Sequence, residues 1–130
     1  YLQKSFEQGT AYEFAVFLKK NDRYIGNCGL IKNSTEHKSA EIGYFIDIFE
    51  WGKGYATEAC KKIIDYSFRD LQLNRVYGRC MVSNRASRRV MEKAGMVFEG
   101  CHKQEILKDG VYEDINYFAI LAEDYFKNKY

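Results

Sequence analysis

A chain of 130 residues, 46% apolar and 29% charged, has the make-up of one globular domain and no room for a second. Its formal net charge of +2 comes from interspersed residues of both signs, which excludes the broad attraction of a non-specific nucleic-acid binder and leaves a small charged ligand open. No apolar run approaches the roughly 20 residues of a bilayer-spanning helix, and Tyr1-Leu2-Gln3-Lys4 lacks a signal peptide's apolar core, so the expected compartment is the cytoplasm.

The first residue is not Met, and Leu2 and Phe6, four apart with Gly9 as a stop, read as a helix already under way in a fragment. Ala11 to Leu18 and Tyr24 to Ile31 are rich in aromatic and branched residues around a polar Lys19 to Arg23, the pattern of a hairpin. A third such run, Ser39 to Phe49, follows the turn-prone Asn33-Ser34-Thr35-Glu36 and completes an antiparallel meander. The period then changes to 3.6: Ala56, Cys60, Ile63, Ile64, Ser67 and Leu71 share one face of an amphipathic helix, with Glu58, Lys61, Lys62, Asp65 and Arg69 largely opposite.

Arg75 to Val82 alternates again, Val76, Gly78, Cys80 and Val82 against Arg75, Tyr77, Arg79 and Met81, and its connection through the helix suits a parallel crossover. A second helix is expected from about Arg85 to Ala94, with Ala86, Val90, Met91 and Ala94 inward and Gly95 as its stop. Strands at Val97 to Leu107 and Val111 to Leu121 flank the Asp109-Gly110 turn, and Glu123 to Tyr130 forms a helical tail. The order is β-β-β-α-β-α-β-β, an α/β domain with a mixed sheet over residues 1–130.

Cysteines 28, 60, 80 and 101 are too far apart for a Cys-x-x-Cys pair, and buried free thiols are expected, with no metal. His37 and His102 are isolated and expected at the surface. Gly52 and Gly54 lie where a strand turns into the longer helix, so backbone amides without intrahelical partners face a positive dipole end, an arrangement suited to an anion. Lys53 and Thr57 add a charge and a hydroxyl. The same glycines also make a tight connection and nothing more. A P-loop lacks its Lys-Ser/Thr here, and the Rossmann turn lacks its third Gly, where Thr57 stands.

Four motifs in order carry a resemblance: Ala40-Glu41-Ile42-Gly43-Tyr44, then Trp51 to Ala59, then Asn74-Arg75-Val76, then Asn84 to Met96. Together they resemble the GNAT superfamily of N-acetyltransferases, most of all its RimJ/RimL-type branch, across the chain from Tyr12. The resemblance implies the GNAT acyl-CoA N-acyltransferase fold, here without the family's first strand and helix, with acetyl-CoA as cosubstrate, an amine acceptor, and a homodimer as a common assembly of the branch. Trp51, Gly52, Lys53, Gly54, Tyr55, Ala56 and Thr57 match the pyrophosphate loop, except that Trp51 replaces the usual Gln or Arg and removes one side-chain contact. The backbone cradle is unaffected.

The same resemblance implies Glu41 as the base, Tyr44 as an acceptor-pocket or packing residue, Asn84 on the pantetheine arm, Ser87 as both coenzyme contact and general acid, and Arg88, Arg89 or Lys93 near the 3′-phosphate. It also implies a backbone amide around Ile46 or Asp47 polarising the thioester. On the residues alone, Glu41 is equally a solvent-facing strand residue paired with Lys38 or Arg23, and Asn84 an N-cap. At pH 7.5 a lysine amine is free base on the order of 0.1% of the time and a peptide N-terminus roughly a third, so deprotonation costs roughly 4 against under about 1 kcal/mol. Together with the resemblance this favours an N-terminal α-amine, with a polyamine, an amino sugar or another small amine still open. An acetyl-CoA-binding sensor without turnover is the alternative of a different class.

Overall fold

In the computed structural model, which describes residues 1–8 and 11–128, stretches of period two form strands and stretches of period 3.6 form helices. The elements are β1 (Leu2–Gln8), β2 (Ala11–Phe17), β3 (Tyr24–Ser34), β4 (Ser39–Ile46), α1 (Tyr55–Arg69), β5 (Arg75–Met81), α2 (Arg85–Lys93), β6 (Val97–Lys108), β7 (Val111–Leu121) and α3 (Ala122–Lys127). One sheet holds all seven strands in the order β1-β2-β3-β4-β5-β7-β6. Every neighbouring pair is antiparallel except β4 and β5, the parallel pair that the α1 crossover requires.

The start of the chain corrects the expectation of a helix. Leu2–Gln8 is a strand, with Leu2 opposite Val16 and Gln8 opposite Ala11 on β2. So short a segment does not sustain a helix alone, whereas the edge of β2 offers it backbone partners. Gly9 lies outside the described residues, as does the end of the helical tail, residues 129–130. The sheet thus gains a strand at its edge, and no helix precedes β2 among the described residues.

Two smaller differences have local causes. Asn33 and Ser34 extend β3, and the turn begins after them, where Ser34 Oγ accepts from the His37 amide at 3.1 Å. The third expected strand stops at Ile46, because Asp47 caps a short 3-10 turn, Ile48–Glu50, through its side chain and the Phe49 amide.

The core lies between the sheet and α1. Ile63, Ile64 and Phe68 of the helix join Cys28, Leu30, Ile42, Val76 and Phe118 of four strands, all nearly inaccessible. At roughly 1.5–3 kcal/mol for each buried large apolar side chain, this seam outweighs the helix's own modest propensity. Cys28, Cys60 and Cys80 are buried free thiols, and Cys101 is half-buried.

The second helix is set down by one glycine. A β-carbon on Gly78 of β5 would lie 2.7 Å from Met91 Sδ and 3.3 Å from Ile42 Cγ2, so its absence lets α2 settle on the sheet. Ala86, expected inward, is exposed instead, because α2 presents that turn to a cleft. Gly78→Ala is expected to cost about 1–3 kcal/mol by overpacking this contact, read as a lower urea midpoint with an unchanged slope.

Candidate active site

The site begins where two strands part. β4 and β5 pair only from Ser39–Glu41 to Arg75–Tyr77, while β4 stays on β3 as far as Ile46 and β5 stays on β7 as far as Met81. A gap therefore opens inside the sheet just past Glu41 and Tyr77. The Asp47 amide donates to the Ile25 carbonyl at 2.7 Å. By alternation along the β3–β4 ladder, the backbone groups of Tyr44 and Ile46 then face the gap. Of the two amides expected near a reacting carbonyl, that of Asp47 is engaged elsewhere.

On the helix face the gap continues into a cavity of about 530 Å³, lined by Tyr44, Ile46, the loop from Trp51 to Thr57 except Lys53, and α2. Trp51 anchors that loop, since its indole Nε1 donates to the Ile46 carbonyl at 2.6 Å. Glu50 is buried beneath it, 3.2 Å from Arg23 and 3.4 Å from Lys53. Lys53 thus leans on its own loop rather than into the cavity. Gly52 and Gly54 take φ of +78° and +83°, where a side chain is strained, and a β-carbon on either would meet nothing within 4 Å. No side chain caps α1 at Gly54, so its first amides have no capping partner, and Gly54, Tyr55, Ala56 and Thr57 line the cavity.

The opposite wall is α2. Asn84 caps it, Oδ1 accepting from the Ser87 amide at 3.0 Å. Ser87 Oγ lies 2.6 Å from Tyr44 Oη, a bond that joins the two walls of the cavity. Burial pushes the Tyr44 phenol up to about 12, and the bond to Ser87 offsets part of that. Arg89 and Lys93 also line the cavity. Arg88 turns away, over the rings of Phe98 and Phe118.

Glu41 is not in this cavity. Three residues from Tyr44 on a strand, it faces the other side of the sheet, only 6% exposed, with Arg79 Nε 3.0 Å from its carboxylate. There it lines a second cavity of about 220 Å³ with Arg75, Tyr77, Arg79 and Tyr117. Arg79 also meets Glu105 at 3.3 Å, Tyr117 donates to Glu105, and His102 stacks on Tyr117 with centroids 4.0 Å apart. Hydrogen bonds to Glu41 and Glu99 hold the Arg79 and Arg75 guanidinium groups more firmly protonated than usual. Bonding to Tyr117 holds Glu105 below the usual carboxylate range. Neither Lys38 nor Arg23 is the ion-pair partner seen for Glu41, and His102, though exposed, is not isolated. Glu41 is a candidate from the sequence, whereas Arg75, Tyr77, Arg79 and Tyr117 are not. Their signal was the row Arg75, Tyr77, Arg79, three large polar side chains alternating with Val76, Gly78 and Cys80.

Residues 1–97 match the family described as the acetyltransferase (GNAT) domain. This chain belongs to the GNAT acetyltransferase family. It is 38% identical to a probable N-acetyltransferase of Bacillus subtilis, YjcK, over 94% of this chain and 68% of that protein. It is 32% identical to the ribosomal-protein-serine acetyltransferase of Escherichia coli, over 90% of this chain and 64% of that protein. A dodecameric spermidine N-acetyltransferase from Vibrio cholerae superimposes with a TM-score of 0.85 at 30% identity, over 93% of this chain and 70% of that one. The chain spans about two thirds of the length of the curated relatives it matches.

GNAT enzymes draw their acetyl group from acetyl-CoA, and the helix-face cavity suits that cosubstrate. Open amides at a helix start and two glycines without obstruction fit a diphosphate, and the gap between β4 and β5 leads from there through the sheet. Among the described residues no helix is long and apolar enough to cross a membrane, and no three His, Cys, Asp or Glu side chains converge on a metal position.

A phenol whose value rises on folding contributes stability that is complete below its unfolded value near 10 and declines as pH climbs towards 12. The stability advantage of the wild type over Tyr44→Phe is therefore expected to shrink by about 1–3 kcal/mol between pH 9 and pH 12, measured by urea unfolding of both proteins at each pH.

Proposed function

We propose that this domain transfers the acetyl group of acetyl-CoA to a primary amine, the N-terminal α-amine of a protein, with Glu41 as base and Ser87 as acid. The observation that carries this is the end of the β4–β5 ladder at Glu41 and Tyr77, which sets a carboxylate on one side of the gap and the loop, Asn84 and Ser87 on the other. When bound, acetyl-CoA supplies an activated thioester carbonyl.

The chain's own groups fill the remaining roles. Backbone amides from Gly52 to Thr57 receive the diphosphate, with Tyr55 and Ala56 opening the helix. Asn84 caps α2 with its oxygen, which leaves its amide nitrogen for the pantetheine arm. Arg89 and Lys93 face the cavity where a further phosphate is held. The Ile46 amide faces the gap, in place to polarise a carbonyl. Glu41 takes the amine's proton, directly or through one water, and Ser87 Oγ holds the proton for the sulfur.

An α-amine suits the electrostatics. The Glu41 side carries two guanidinium groups, and Glu41, Glu99 and Glu105 are each already paired with one of them. A polycation entering there meets Arg75 and Arg79 rather than an uncompensated acidic cluster. The likeness to a spermidine enzyme makes a polyamine the competing acceptor.

Steady-state thiol release with N-terminal peptides, spermidine and small amines tests the assignment. Peptide turnover is expected to exceed that of spermidine, and CoA binding with no turnover of any amine would establish the sensor alternative. Glu41→Gln is expected to lower kcat/KM by about 10²–10⁴ with unchanged CoA affinity, as loss of a general base does. If Glu41→Gln and Ser87→Ala both turn over like the wild type, these residues are not the machinery. Paired Arg89→Ala and Lys93→Ala changes are expected to weaken CoA binding while 3′-dephospho-CoA binding holds, and Arg88→Ala to leave both unchanged, by calorimetric titration.

A further inference from the structure

A serine inside a helix ordinarily gives its hydroxyl proton to the carbonyl one turn back, and α1 holds an example in Ser67 Oγ, 2.7 Å from the Ile63 carbonyl. Ser87 is placed differently. It is the third residue of α2, its amide is tied to Asn84 Oδ1, and its Oγ instead meets Tyr44 Oη at 2.6 Å. Both partners are held, because Tyr44 packs against the core and its hydroxyl also donates, at a longer 3.3 Å, to the Ser87 carbonyl oxygen.

Two hydroxyls at this distance share one proton between them, and the stronger acid is the better donor. A phenol ordinarily titrates near 10, and even when burial pushes Tyr44 up to about 12 it remains more acidic than an aliphatic alcohol. Acidity therefore favours Tyr44 as the donor, and of its two acceptors Ser87 Oγ at 2.6 Å is nearer than the Ser87 carbonyl oxygen at 3.3 Å. With that donor the serine's own proton is released from Tyr44, beside the cavity that Ser87, Asn84, Ala56 and Thr57 line.

We propose that Tyr44 is a positioning residue of the acetyl-transfer site: by donating to Ser87 Oγ it aims the serine's proton into the cleft. This rests on Ser87 acting as the acid, and it gives Tyr44 a place on the coenzyme side of the sheet rather than beside Glu41 and the acceptor.

Kinetics and fluorine NMR together test it. Tyr44→Phe is expected to lower kcat about tenfold, the worth of one hydrogen bond, while the CoA Kd stays within twofold. In the Ser87→Ala background the same change is expected to have no further effect. In protein labelled with 3-fluorotyrosine, the Tyr44 resonance, assigned by its loss in Tyr44→Phe, is expected to titrate at higher pH once Ser87 is alanine.

Unchanged or faster turnover by Tyr44→Phe overturns the proposal, since it means that Ser87 donates to Tyr44 and is released when the phenol is removed. Equal losses in kcat and CoA affinity also overturn it, as the mark of a packing role. A Tyr44 titration indifferent to Ser87→Ala shows that the pair does not form. Wild-type turnover by Ser87→Ala with the pair intact instead removes Ser87 from the acid role, and the positioning role with it.

Discussion

Everything at this site depends on two neighbouring strands that stop pairing inside a sheet. β4 and β5 keep their outer partners to the end but release each other after Glu41 and Tyr77. Backbone donors and acceptors exposed along such a gap require a partner, and an extended ligand arm that carries amides is one. The same gap is a break through which groups on the two faces of the sheet approach each other, so it decides which side chains can work together.

Each face is prepared in a different way. The helix face is made of backbone, with a loop stapled by Trp51 to the Ile46 carbonyl, two glycines at positive φ and a helix whose first turn is left uncapped. Trp51 replaces a polar loop side chain by a structural device, which holds the loop from its base without competing for its amides. The opposite face is made of side chains, where Arg79 ties Glu41 to Glu105, and Tyr77, Tyr117 and His102 stack beside them. A nearly buried carboxylate there is kept in place by charge and hydrogen bonding rather than by apolar packing.

Much of the fold was legible because periodicity reports burial. The switch from period two to 3.6 at Ala56 located α1, the alternation through Val76, Gly78 and Cys80 located β5 with its inner face, and Asn84 was readable as a cap from its type and place. Leu2–Gln8 misled because Leu2 and Phe6 suit helical spacing, while the edge of β2, which recruits the segment as a strand, is formed by residues later in the chain. The 3.4 Å contact of Lys53 with Glu50 was not legible either, since no local pattern reveals that Glu50 is buried.

From β2 onwards the order of strands and helices was written in the sequence, as were the glycine turn and the identity of the groups at hand, because backbone propensity and burial act over a few residues. Tertiary structure alone decided that Tyr44 meets Ser87, that Arg79 takes Glu41, and that these two pairs lie on opposite faces of one gap. Those contacts join residues some forty positions apart. Their geometry follows from where two strands cease to pair, which no local pattern encodes.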